Sequence, residues 1–108
     1  MQKISKNERL RSKKQIKDLF ENGTYIAQDF FKFIFNEQDK NKKYPVRILI
    51  AVPKIKVAKS IDRNRIKRYI REAYRTNKSD LHSKLNHKNK SINLAIIYQN
   101  KEGKNFNQ

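Results

Sequence analysis

Residues 63–75 read RNRIKRYIREAYR, and how these thirteen residues are read decides the fold. Six of them are cationic, and Ile66, Tyr69, Ile70, Ala73 and Tyr74 are threaded between the charges. At helical spacing the five apolar side chains occupy one continuous arc of roughly 140°. Arg63, Lys67, Arg71 and Arg75 form an i, i+4 row beside it, and Arg65 and Arg68 widen the basic side. A disordered basic tail needs no apolar stripe. An ordinary surface helix would carry more acid than Asp62 and Glu72. The pattern therefore predicts a helix whose stripe packs on a sheet while its other side presents fixed cations. Like charges at this spacing repel, a cost that phosphates would offset on binding. Arginine outnumbers lysine in the row, which suits bidentate phosphate contact.

Outward from this helix the chain alternates in character. Residues 13–22 place Ile16, Leu19 and Phe20 on one helical face, with Gly23 where a helix would stop. DFFKFIFNE, residues 29–37, reads as the first strand, with Phe31, Phe33 and Phe35 on one face and Phe30, Lys32 and Ile34 on the other. VRILIAVPK, residues 46–54, reads as the second, ended by Pro53. KIKVAK leads into the long helix, TNKSDLHSKLNHKNK (76–90) reads as a polar connection helical at most at its start, and INLAIIY (92–98) is the last strand. The fold class expected is a small single-domain α+β sandwich. Residues 1–8 read as a mobile basic arm, 9–100 as the domain and 101–108 as a polar tail.

Composition narrows the function. The 108 residues carry a net charge of +17, which calls for a polyanionic partner. The absence of Cys excludes disulfides and thiolate metal sites, and His82 and His87 are poorly spaced as a metal pair. No apolar run approaches a membrane span, and the basic N-terminus has no apolar region after it, so a cytoplasmic protein with no membrane partner is expected. Gly23 and Gly103 are the two glycines, so no glycine-rich phosphate loop exists. Neither His has an evident hydroxyl and carboxylate partner for catalysis. A basic amphipathic helix also suits a membrane surface or calmodulin, but here the domain's own core needs the stripe. For the Phe-rich strand, periodicity leaves core packing and an aromatic RNA-binding surface equally open.

VPKIKVAKSIDRNRIKRYIREAYR closely resembles the signature of the bacterial ribonuclease P protein subunit. The matching residues are Lys54, Arg63, Asn64, Arg65, Lys67, Arg68, Arg71 and Glu72. RLRSKKQIKDLFENG is similar to the family's opening, and the resemblance spans about residues 8–100. It implies the order α-β-β-β-α-β, followed in the family by a final helix, and a left-handed crossover through the long helix, against the usual hand. It also implies a protein cofactor, one per RNA, of the catalytic RNA that removes the 5′ leader from precursor tRNA. That RNA performs the hydrolysis with Mg²⁺, no protein residue is catalytic, and the protein itself binds no cofactor. Carried over, Arg63, Asn64, Arg65, Lys67, Arg68 and Arg71 contact the catalytic RNA, and Lys54 and Lys56 border that surface. The single-stranded leader lies in a cleft between the first helix and the sheet. Ile16 and Phe20 line it, and of the two strand faces Phe30, Lys32 and Ile34 are favoured because Lys32 offers a phosphate partner.

The chain departs from the family pattern in three places. Ile16 stands where an aromatic is common, which implies apolar contact in place of stacking. Pro53 and Ile55 thin the cations of the turn. The sequence ends at Gln108, before the final helix. The rival readings are a structural RNA-binding protein such as a ribosomal one, a DNA-binding regulator placing the long helix in a major groove, and a ribonuclease acting alone. The second lacks a preceding helix-turn signal and the third lacks a nucleophile or base.

Overall fold

A computed structural model of the chain describes residues 8–28, 30–38 and 44–99. The elements are α1 (Lys13–Asn22), β1 (Thr24–Gln28), β2 (Phe31–Gln38), β3 (Val46–Ala51), α2 (Ser60–His87) and β4 (Ser91–Tyr98). They form one mixed sheet in the order β1-β2-β4-β3. β2 pairs antiparallel with β1 and β4, whereas β3 and β4 run parallel, joined by the crossover through α2.

Two elements differ from the sequence reading. The stretch TYIAQ forms β1, so the strand predicted as the first is in fact β2. All five residues of β1 are exposed at the sheet edge, and such a strand has no buried face to leave an alternating signal. The supposed polar connection at 76–90 is mostly helix, because α2 runs for 28 residues to His87. Leu81 and Leu85 continue the stripe from Tyr74 and pack on the same core, but the polar residues between them dilute the pattern. The helix ends where the Lys90 N–H donates to the Leu85 carbonyl at 2.9 Å and the Asn89 N–H to that of Asn86 at 3.1 Å. Asn89 adopts φ 60°, the left-handed conformation that closes this type of cap.

The register divides the sheet into two faces. Phe31, Phe33, Ile48, Ile50, Ile92, Leu94, Ile96 and Tyr98 face α2, forming the larger core with Ile66, Ile70 and Tyr74. Ile34 and Ala95 face α1 and are sealed by Leu10 and Leu19. Of the predicted helical stripe only Ile66, Ile70 and Tyr74 are buried. Tyr69 stays 54% exposed although its ring stacks on Phe31, and Ala73 is exposed, so the buried arc is narrower than expected.

α1 begins at Ser12, whose hydroxyl accepts from the Gln15 N–H at 3.3 Å. It ends at Gly23 for a reason of space, since φ there is an unstrained −73°. A Cβ at this position would lie 2.5 Å from the Leu19 carbonyl oxygen and 2.8 Å from Ile34 Cγ2.

The expected arm boundary also moves. Glu8 is buried and its carboxylate receives the Lys78 ammonium at 2.8 Å, so residue 8 belongs to the folded domain. The rest of that arm, residue 100 and the tail at 101–108 lie outside the described residues.

Candidate nucleic-acid interface

The buried stripe of Ile66, Ile70 and Tyr74 fixes α2 rotationally on the sheet, and this decides where its cations point. Asn64, Arg65, Arg68 and Arg71 are exposed and Lys67 is half-buried. No carboxylate pairs with Arg65, Lys67, Arg68 or Arg71 among the described residues. Glu72 is committed to Arg75, accepting from its guanidinium at 2.9 Å. That hydrogen bond, with the accompanying charge, holds the Glu72 carboxyl below its usual range. Lys54 and Lys56 are exposed in the turn after β3, where the Lys56 and Val57 N–H groups donate to the Pro53 carbonyl.

Arg63 also makes contacts within the chain. Its guanidinium donates to the Val57 carbonyl at 3.1 Å and to the Ala58 carbonyl at 2.8 Å. It therefore ties the approach segment to the first turn of α2, a structural duty that sequence spacing cannot reveal.

The other face of the sheet carries the residues expected to line a cleft, and only part of that set is brought together. Ile16 is half-buried at the edge of the smaller core and Phe20 is exposed on α1. Lys32 lies on the α1 side and its ammonium sits 5.4 Å from the centroid of the Tyr25 ring. Ile34 shares this face but is 0% exposed beneath Leu19, so it is core and no ligand can touch it. Phe30 is not on this face. It precedes β2, where strand alternation no longer applies, and stacks on Tyr98 against the α2-side core. Tyr25 was missed because β1 was missed. Its register opposite Ile34 puts it on the α1 side, and its hydroxyl donates to the Phe20 carbonyl. Exposed Phe20 and Tyr25, with half-buried Lys32, thus form an aromatic and cationic surface beside α1.

Of the two histidines, His82 is half-buried, with its Nε2 3.1 Å from the Tyr74 hydroxyl. Burial first, then the Lys78 charge, lowers its pKa, while Glu8 opposes the shift. Among the described residues no three His, Asp or Glu side chains converge to hold a metal ion, and no helix is long and apolar enough to cross a membrane.

A helix that presents Arg65, Arg68 and Arg71 without carboxylate partners among the described residues, with aromatic and cationic side chains on the opposite layer of the sheet, defines a small α+β domain with a strongly cationic helix face. The Ribonuclease P family profile matches residues 4–106, and the chain belongs to that family. It is 42% identical over 80 residues to the ribonuclease P protein component of Petrotoga mobilis, covering 72% of this chain and 63% of that protein. Against the ribonuclease P protein component of Chlorobaculum tepidum the identity is 36% over 81 residues, 72% of this chain and 53% of the other. The chain thus spans about half to three-fifths of the length of these curated relatives. The solved RNase P protein from Thermotoga maritima superposes with a TM-score of 0.64 at 25% identity, covering 86% of this chain and 74% of that one.

Proposed function

We infer that this chain acts as the protein component of a ribonuclease P ribonucleoprotein, assisting removal of the 5′ leader from precursor tRNA. The observation that carries this reading is that Arg65, Arg68 and Arg71 of α2 have no carboxylate partner among the described residues, in a chain of this family. Arg65, Arg68 and Arg71, with Asn64 and Lys67, dock on the catalytic RNA through its phosphates, and Lys54 and Lys56 extend that surface. Rigid attachment of α2 presents these charges as a fixed pattern, so the ordering cost of a flexible basic tail is avoided.

The single-stranded leader runs over the surface beside α1. Phe20 and Tyr25 offer it rings, Lys32 offers a phosphate partner and Ile16 apolar contact. Bond cleavage belongs to the RNA subunit with its Mg²⁺. The described residues bring no acidic donor set together, and no step is assigned to a metal on the protein. One protein per RNA, working in the cytoplasm, completes the reading.

Reconstitution tests it. The protein is mixed with a bacterial ribonuclease P RNA at Mg²⁺ low enough that the RNA alone is nearly inactive, and leader release from a precursor tRNA is followed. Restored cleavage is expected. Tight RNA binding without restored cleavage would contradict the cofactor role and favour a purely structural RNA-binding protein.

A further inference from the structure

The four members of the i, i+4 row on α2 have different fates. Arg63 is committed to two backbone carbonyls and Arg75 to Glu72. The middle pair, Lys67 and Arg71, has no acidic partner among the described residues. Both line a cavity of about 230 Å³ beside β3, and its opposite wall is the N-terminal segment with Arg9, Leu10 and Arg11. Residues 48–50 of β3 complete the lining, and no carboxylate belongs to it.

The N-terminal segment is held against this cavity at several consecutive points. Glu8 is ion-paired with Lys78 of α2. Arg9 forms a parallel bridge with Ile48, and the Leu10 N–H donates to the Ile48 carbonyl at 2.8 Å. The Leu10 side chain is buried with Leu19 and Ile34, and Ser12 caps α1. In an extended segment, residues on either side of an inward Leu share the opposite direction. Arg9 and Arg11 are therefore exposed together and reach the same cavity as Lys67 and Arg71. Four cations from two distant parts of the chain converge with no anion between them, an arrangement that repels itself until one arrives.

We propose that Arg9 and Arg11 complete, with Lys67 and Arg71, a clamp for the phosphodiester backbone of RNA at the outer edge of β3. The cavity takes phosphate because its polar side chains are all cationic donors. No aromatic ring lines it to stack on a base and no side-chain acceptor to read one, so binding there is independent of sequence. The clamp rests on the RNA-docking reading above and extends that surface from α2 to the N-terminal segment. Cationic side chains on an edge strand also discourage strand pairing between molecules. The test separates that role from RNA binding.

The full chain is titrated with a bacterial ribonuclease P RNA across a series of KCl concentrations. The variants are Arg9→Gln/Arg11→Gln, Lys67→Gln/Arg71→Gln, the four combined, and Arg9→Lys/Arg11→Lys. The first is expected to flatten the plot of log affinity against log salt by about one to two units and to weaken binding about tenfold at moderate salt. The combined variant should lose less than the product of the two double variants, because both pairs hold the same phosphates. The lysine pair should keep the wild-type slope. An unchanged slope in Arg9→Gln/Arg11→Gln, with self-association in its place, would assign the arginines to edge protection and overturn the clamp. Independent, multiplicative losses would overturn it as well. Leader cleavage is scored in the same samples. Coupled losses without any cleavage by wild type would refute the cofactor role alone, and cleavage without coupling would refute the clamp alone.

Discussion

From Ser60 to Arg75, α2 turns Arg65, Arg68 and Arg71 outward, with no carboxylate pairing with them among the described residues; from Thr76 to His87 its Lys78 and His82 turn inward, to buried Glu8 and to Tyr74. Both halves share one helix and one core, since Ile66, Ile70, Leu81 and Leu85 all pack against the same cluster. The difference shows what a cation in this protein is for. Where a buried carboxylate answers it, as Glu8 answers Lys78, it holds the fold together. Where nothing answers it, it is available to a phosphate.

Substitutions can break this contrast. The largest effect is expected from Lys78→Ala, which takes the Lys78 ammonium away from the buried Glu8 carboxylate. A loss of about 3 kcal/mol or more in denaturant unfolding is expected, with the salt dependence of RNA binding unchanged. A loss as small as that of an exposed arginine would abolish the distinction. Ile70→Ala should cost about 2–4 kcal/mol through the cavity it opens, whereas Tyr69→Ala one residue earlier, half-exposed, should cost about 1 kcal/mol. Equal costs would mean that the buried arc is as wide as the sequence pattern suggests.

Smaller effects sharpen the picture. Lys32→Ala should weaken binding of precursor tRNA several-fold while leaving mature tRNA almost unaffected, if the surface beside α1 that carries Lys32 takes the leader as proposed. Equal effects on both ligands would remove it from that surface.

The smallest expected effect is on pH dependence. His82 is flanked by Tyr74, Lys78 and Glu8, and its pKa in the folded state lies below the ordinary 6.5. The unfolded chain therefore takes up the proton first. The contribution of neutral His82 is complete above pH 6.5 and is lost as pH falls from there through the folded value. The melting temperature of wild type should fall more between pH 7.5 and pH 5.5 than that of His82→Gln, as followed by circular dichroism.

The same contrast explains what was legible in the sequence. The stripe of Ile66, Ile70 and Tyr74 among arginines announces a helix because its apolar residues recur at helical spacing between cations. Beyond Arg75 the signal fades, because polar residues dilute the stripe around Leu81 and Leu85, and the buried partner of Lys78, Glu8, lies 70 positions away. β1 was invisible for a related reason, being an exposed edge strand defined by its partner β2. Among the site residues, Arg65, Arg68 and Arg71 could be read from helical position alone. The structural duty of Arg63, the burial of Ile34, the displacement of Phe30 and the placement of Tyr25 all depend on which elements meet, and local pattern does not encode that.

The most direct test of the central claim compares Arg65→Gln/Arg68→Gln with Lys78→Ala, measuring unfolding free energy and affinity for a ribonuclease P RNA on the same preparations. The arginine variant should unfold within about 0.5 kcal/mol of wild type yet bind RNA about tenfold to a hundredfold more weakly, with a shallower salt slope. Lys78→Ala should do the reverse. An arginine variant that loses stability while keeping its RNA affinity would contradict the account, because the unpaired cations of α2 would then serve the fold and not the phosphate backbone.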